Sequence, residues 1–330
     1  ISAALSNTTP IGITMETNGV FTSGLSGKGN ATNFASDNSS YGIGLNSSNE
    51  AVIGNKYTIT RNEPNDTYTY MYIKGNYIDN SIEAVAGEYI KVTISGDGTY
   101  HTIPVSLSYT DGTLSTYPKG GVEYGFNMPN KNVTVTGVCR YGGYCGDANN
   151  EDVKYYLEGT TLKFQAKDAG NYAMKSTYAS QNEVPWYSRT EIQDVYTSVE
   201  IPSNITNISP YAFYGSGLTT ADIPASVNTI GAKAFMGCTS LTAINVNVSN
   251  PSSLNNSDDG VLYTRSAGDP TNLICYPAGK SGVNYSVPSK VTAITDGAFA
   301  FNNLESITVA GGSSFSAPND NGVLYNAGGT

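Results

Sequence analysis

Histidine and tryptophan are almost absent from this 330-residue chain: each occurs once, as His101 and Trp186. Any Ser-His-Asp or Cys-His arrangement would therefore have to use His101. That residue follows Gly98-Thr99-Tyr100, no nucleophile motif points to it, and it reads as an exposed strand-edge side chain. Charge is also scarce, at 13% of residues, and weighted toward acid: 27 Asp and Glu against 17 Lys and Arg leave a net charge of −10. Nucleic acid and anionic membranes are excluded as partners on that balance, since both recruit basic patches. No run approaches the ~20 apolar residues of a membrane-spanning helix, so direct membrane insertion is not expected of this chain. Cysteine is sparse too, and its four copies fit either redox compartment. Cys139 and Cys145 lie six apart with no second ligand pair, which argues against zinc.

What fills the chain instead is Ser, Thr, Asn, Gly and Tyr, with 25 Tyr against 9 Phe and a mean hydropathy of −0.25. Aromatic and β-branched residues fit a pleated surface, so the composition favours strands and turns. The length suggests two or three domains. The chain opens on Ile1-Ser2-Ala3-Ala4 and is expected to be a processed or trimmed form of an exported protein.

Three local motifs carry little chemistry. Gly24-Leu25-Ser26-Gly27-Lys28-Gly29 has the look of a phosphate loop but lacks the earlier Gly and the Ser or Thr after Lys28. Asp147, Asn149, Glu151 and Glu158 fall on calcium-loop positions, yet Asp152 stands where the sharp turn needs Gly, and Val153–Tyr156 reads as a strand. Paired carboxylates for glycoside hydrolysis have no pocket-forming context around them. No catalytic residue, metal ligand or cofactor is expected.

Along the chain, residues 1–50 are rich in Gly, Ser, Asn and Thr and read as short strands or partly ordered coil. Residues 51–138 alternate with period two: Tyr68, Tyr70 and Tyr72 share one strand face, and Tyr89, Lys91 and Thr93 lie opposite Ile90, Val92 and Ile94. Asp97-Gly98 and Asp111-Gly112 read as hairpin turns between such strands. From about residue 195 one phrase returns: Ile201-Pro202, Ile205, Ile208, Ala212-Phe213; then Ile223-Pro224, Val227, Ile230, Ala234-Phe235; then Val287-Pro288, Val291, Ile294, Ala298-Phe299. The steps are 223 − 201 = 22 and 287 − 223 = 64, about three such steps, so the gap is expected to hold turns of similar length. A fixed period in this range marks a solenoid. The apolar set of one turn cannot be buried within that turn. Stacking the next turn on it buries each large side chain for about 1.5–3 kcal/mol before entropy. The Pro after each Ile removes a ladder donor and ends the strand, so each turn should add one short strand to a continuous sheet.

The residues carry two resemblances. Ala86-Gly87-Glu88-Tyr89-Ile90-Lys91-Val92 and Tyr124-Gly125-Phe126-Asn127-Met128-Pro129 with Val133-Thr134-Val135-Thr136-Gly137 resemble small β-repeat modules of bacterial surface proteins, relatives of the internalin B-type repeats. Gly137 stands where those modules close on Ala, and the likeness implies an extracellular spacer or display module. "IPSNITNISPYAF", "IPASVNTIGAKAFMGCTSL" and "VPSKVTAITDGAF" resemble the leucine-rich repeats of the Bacteroides surface protein A (BspA) type. Asp259–Tyr263 followed by Leu273–Gly279 matches an alternate turn that this family inserts. Residues 139–194, with Cys145-Gly146 and Pro185-Trp186, resemble the cap that precedes such an array. A solenoid end would otherwise expose its core, so Trp186 reads as a closing side chain rather than a sugar platform. Cys238 and Cys275 read as buried free thiols, while Cys139 and Cys145 could close a short loop.

The expected fold is mainly β: N-terminal β-sandwich-like modules, then a capped leucine-rich repeat solenoid over 195–330. If the Ile or Val before each Pro is buried, alternation turns Ser198, Glu200, Thr220, Asp222, Ala243, Asn245, Asn284, Ser286, Ser306 and Thr308 outward. That ladder is small, polar, weakly acidic and free of aromatics, which suits a protein partner better than a sugar. The family resemblance implies an adhesin at the cell surface that binds extracellular-matrix proteins such as fibronectin and fibrinogen. A glycan-binding surface protein, with aromatics clustered on one face, and a structural stalk displaying another domain remain open. Asn321–Tyr325 repeats the first half of the alternate turn, so an uncapped last turn and a longer natural protein are expected.

Overall fold

A computed structural model describes residues 13–14, 41–64, 69–77, 80–99, 101–251, 254–256, 259–311, 315–316 and 325–326. The phosphate-loop-like stretch at 24–29, Tyr68, most of the first 50 residues and the expected last turn at 321–324 lie outside them. The described residues are mainly β-strand, and the chain divides into two compact units, Ile1–Arg140 and Tyr141–Thr330.

In the first unit the strand Glu50–Asn62 pairs antiparallel with Tyr41–Leu45 and Ser81–Val85, and parallel with Val133–Thr136. A second sheet runs in the order Glu123–Asn127, Tyr89–Gly96, Thr69–Ile73, Asn76–Tyr77. The expected alternation holds: Met71, Ile73, Ile90, Val92 and Ile94 are buried, and Tyr70, Tyr72 and Lys91 face solvent. Those inward side chains meet Ile59, Leu107, Val133 and Val135 from the first sheet in one core, with Tyr109 stacked on Phe126 at 4.2 Å.

Asp111-Gly112 belongs to a tight hairpin, with Tyr109 opposite Gly112. The Asp97-Gly98 turn does not. Tyr89–Gly96 and the following strand, Thr102–Tyr109, lie in different sheets, so the chain crosses from one to the other. Hairpins and crossings use the same turn chemistry: Asp97 accepts from Thr99 N at 2.7 Å, and Thr102 Oγ1 accepts from Asp97 N at 2.7 Å. His101 sits in this crossing at φ 52°, a turn residue rather than a strand-edge one.

The second unit begins with the hairpin Val153–Glu158/Thr161–Ala166, which Gly142–Tyr144 joins antiparallel. Trp186 is fully buried against Tyr155 and Phe164, with ring centroids 4.9 and 5.3 Å away, and its Nε1 donates to Ala212 O at 2.7 Å. That carbonyl belongs to the first Ala-Phe pair, so the indole both covers the first repeat and satisfies its backbone. The ring column continues through Phe164 to Phe213 and from Phe213 to Phe235, 6.3 and 5.3 Å apart.

Repeat stacking is visible in the register. Ile208 pairs in parallel with Ile230, Asp222 with Asn245, Leu273 with Ile294 and Ser286 with Thr308, each about one period apart. Strands end before each proline, at Glu200, Ile223 and Val287. The freed proline carbonyl then closes the same turn each time: Pro202, Pro224 and Pro288 accept from the N–H three residues on, at 3.1, 3.2 and 3.1 Å.

One expectation about the array is corrected. The ladder is not one continuous sheet: Ser198–Glu200 pairs with the hairpin strand Thr161–Ala166, Thr220–Ile223 with Ala243–Val246, and Asn284–Val287 with Ser306–Val309. The alternate turn expected before the third phrase takes the form of the antiparallel hairpin Leu262–Ser266/Asp269–Cys275, which carries two register shifts and whose second strand pairs in parallel with Ala293–Ile294. The core divides at the same place, with Val261, Tyr263, Leu273 and Tyr276 in a second cluster with Val287 and Val291.

Candidate functional site: the outward face of the repeat strands

Parallel pairing in register places equivalent side chains side by side. Thr220 stands beside Ala243 and Asp222 beside Asn245, while Asn284 stands beside Ser306 and Ser286 beside Thr308. Glu200, Thr220, Asp222, Asn245, Asn284, Ser286 and Thr308 are exposed; Ser198, Ala243 and Ser306 are half-buried. Beneath them Ala221, Ile223, Ile244 and Val246 are buried, which fixes the direction in which the polar side chains point. The structure thus joins the ten positions two strands at a time, rather than as one row.

Sequence reasoning missed the share that the hairpin strand Thr161–Ala166 takes in this face. Thr161 Oγ1 and Ser198 Oγ are 2.8 Å apart, and Lys163 lies beside Glu200 in the parallel register. Lys163 Nζ reaches Glu158 at 2.8 Å and Glu200 at 3.1 Å, and hydrogen bonds to both carboxylates, Glu158 first, hold its ammonium well above the usual lysine range. Strand alternation in 161–166 was the available signal. Which strand would lie next to Ser198 depends on a tertiary pairing, and nothing local encodes it.

The calcium-loop-like residues are exposed, and Asp147, Asn149 and Glu158 bond to other groups of the protein. Asp147 accepts from Ser176 N at 2.9 Å and Asn149 caps a short 3-10 turn by accepting from Glu151 N at 3.2 Å. With Glu158 held by Lys163, the calcium-loop-like residues serve as separate structural contacts. All four cysteines are buried thiols, so Cys139 and Cys145 do not close a short loop by a disulfide. Cys238 Sγ donates to Phe213 O at 2.9 Å, between the stacked turns, and burial pushes its thiol up. No helix among the described residues is long and apolar enough to cross a membrane.

Residues 191–265 match the family described as BspA type leucine rich repeat region (6 copies). A comparison with curated proteins gives no match. Among solved structures the chain is similar to a leucine-rich repeat protein from Eubacterium ventriosum, at 20% identity and a TM-score of 0.27 over 52% of this chain and 62% of that one. It is also similar to a leucine rich cell surface protein from Faecalibacterium prausnitzii, at 30% identity and a TM-score of 0.30 over 34% and 35%. A third is the pneumococcal vaccine antigen PcpA, at 17% identity and a TM-score of 0.30 over 49% and 64%. The chain spans less than two thirds of the length of each. With the family match falling on residues whose strands pair one period apart, residues 191–265 are a BspA-type leucine-rich repeat region.

Proposed function

We propose that the chain is part of an exported surface protein whose repeats form a capped solenoid and whose outward strand face binds a protein partner. The observation that carries this reading is the alignment of exposed Thr220, Asp222 and Asn245 on two paired strands over a buried apolar layer. A repeat array with such an extended face offers a rigid, preorganised surface at low entropic cost to the complex. The ladder lacks aromatics and carries Glu200 and Asp222, so a partner with basic and polar side chains suits it. In this reading the first unit spaces or displays the repeats, no catalysis is involved, and the protein acts outside the cell as an adhesin. Fibronectin and fibrinogen are the partners to test first, through the family resemblance.

Biolayer interferometry of the full chain against immobilised fibronectin and fibrinogen is expected to show saturable binding. The double variant Asp222→Lys, Asn245→Glu should weaken it about tenfold or more, since it rearranges charge at the centre of the face. Unchanged binding of that variant to every matrix protein that the chain binds would sink the strand-face site.

A further inference from the structure

We propose that a second site, independent of the repeat face, binds a neutral oligosaccharide on the outward face of the four-stranded sheet in the first unit. Tyr70, Tyr72 and Tyr77 form its stacking platform. They are 39%, 39% and 50% exposed, and among the described residues the other exposed aromatic is Phe301, far along the chain. The Lys74-Gly75 turn, with φ of 54° and 75°, folds Asn76–Tyr77 back on Thr69–Ile73 and sets Tyr77 directly opposite Tyr72. Ring centroids of Tyr72 and Tyr77 lie 5.8 Å apart, and those of Tyr70 and Tyr77 6.4 Å.

The rings are pinned in this exposed arrangement. Tyr70 donates its hydroxyl to Asp97 Oδ2 at 2.9 Å. The Arg61 guanidinium lies 4.4 Å from the Tyr77 ring centroid and bonds its hydroxyl at 3.2 Å, while Glu63 pairs with Arg61 below. Aromatic side chains held out in solvent by charged partners are preorganised for a ligand that stacks on them. The partly positive C–H face of a pyranose is complementary to the negative face of such a ring.

Two features select a neutral sugar. Among the described residues the cations around the platform are matched in pairs, Arg61 with Glu63, Lys74 with Glu88 and Lys91 with Glu123 at 3.0 Å, which disfavours an acidic glycan, and a net charge of −10 opposes one. Hydroxyl groups lie beside the rings, because Thr93 stands next to Tyr72 and Ser95 next to Tyr70 in the register. On the same sheet face, Glu123 in the row of Tyr72 and Lys91 one row further line a cleft of about 610 Å³, together with Asn46, Asn49 and Lys74. A chain of sugars has both the apolar faces for the platform and the hydroxyls for this polar cleft. A proline-rich peptide would match the rings but leave these polar groups unpaired.

Isothermal titration calorimetry of the full chain against a panel of neutral hexasaccharides, including cellohexaose and the hexamer of N-acetylglucosamine, tests the site. Saturable binding of at least one is expected, weakened about tenfold or more in Tyr72→Ala and in Tyr77→Ala. Tyr72→Phe keeps the ring and should stay within about twofold. Circular dichroism melts of each variant confirm folding, since all three side chains are exposed. Absence of binding across the panel, alanine variants that bind as the parent does, stronger binding of heparin than of any neutral sugar, or a proline-rich peptide that binds in place of the sugars would each overturn the proposal. Loss of matrix-protein binding in the repeat-face variant would leave this result unaffected.

Discussion

Asn245 Nδ2 donates to Asp222 Oδ1 across 2.8 Å, joining two outward side chains of neighbouring repeats on paired strands. The bond spans one period of the sequence and lies wholly in solvent, so it orders the surface without holding the fold. Asp222→Lys with Asn245→Glu should change folding stability by no more than about 0.5 kcal/mol, as exposed substitutions usually do. Urea melts of parent and variant check this. A loss of several kcal/mol would show that the face is structural.

Backbone strain recurs with the repeat. Gly215 and Gly237, after the Phe of each Ala-Phe pair, have φ of 65° and 78°, and the equivalent residue of the third phrase is Phe301 at φ 64°. Phe301 is 57% exposed, so its side chain recovers little of the left-handed cost of about 1–2 kcal/mol. Phe301→Gly should therefore stabilise by about 0.5–1 kcal/mol, after glycine's added freedom in the unfolded chain is subtracted. Gly215→Ala is the converse. An added Cβ there meets nothing within 4 Å, so the expected loss of about 1 kcal/mol is backbone alone. Denaturant midpoints of the two variants should move in opposite directions.

Trp186 is fully buried against the first Ala-Phe pair, and it is also the sole tryptophan. Trp186→Ala should cost about 3–5 kcal/mol by leaving a cavity among Tyr155, Phe164 and Ala212. Trp186→Phe keeps most of the volume but strands the Ala212 carbonyl, at about 1–3 kcal/mol. In the parent, Trp fluorescence should be blue-shifted and should move red in a single step with unfolding of the second unit.

Alkaline pH should destabilise the second unit. Burial pushes the thiols of Cys145, Cys238 and Cys275 up from 9.0, and the phenols of Tyr155, Tyr196 and Tyr285 up from 10.0. Tyr263 is pushed up to about 12 by the same cause. These groups are neutral when protonated, and their folded values exceed their unfolded ones. Their contribution is complete below pH 9 and falls as the unfolded chain ionises them. Between pH 10 and 12 Tyr263 alone should lower the folding equilibrium about tenfold per pH unit. Melts at pH 8, 10 and 11 should show steadily falling midpoints; a flat profile would contradict the burial of these groups.

Much of the second unit was legible because its information is local and repeated. Ile-Pro places a buried residue and a strand end together, Ala-Phe places the stacking ring, and the 22-residue step requires one turn to lie on the next. The outward direction of Thr220, Asp222 and Asn245 followed from alternation alone. In the first unit, Tyr70 and Tyr72 could be assigned to one face in the same way, and Ile90, Val92 and Ile94 to the other.

What the residues determined by themselves was therefore periodicity, face and strand end, all set by short-range sterics and by the need to bury apolar side chains. The tertiary structure decided which strands meet. It sent the Asp97-Gly98 turn across to another sheet, paired Lys163 with Glu200, and folded Leu262–Cys275 into a hairpin before the third phrase. It also brought Tyr77 round to Tyr72 over a buried arginine. Backbone hydrogen-bonding groups are the same at every residue, so a strand's sequence states which side it buries but not which partner it takes.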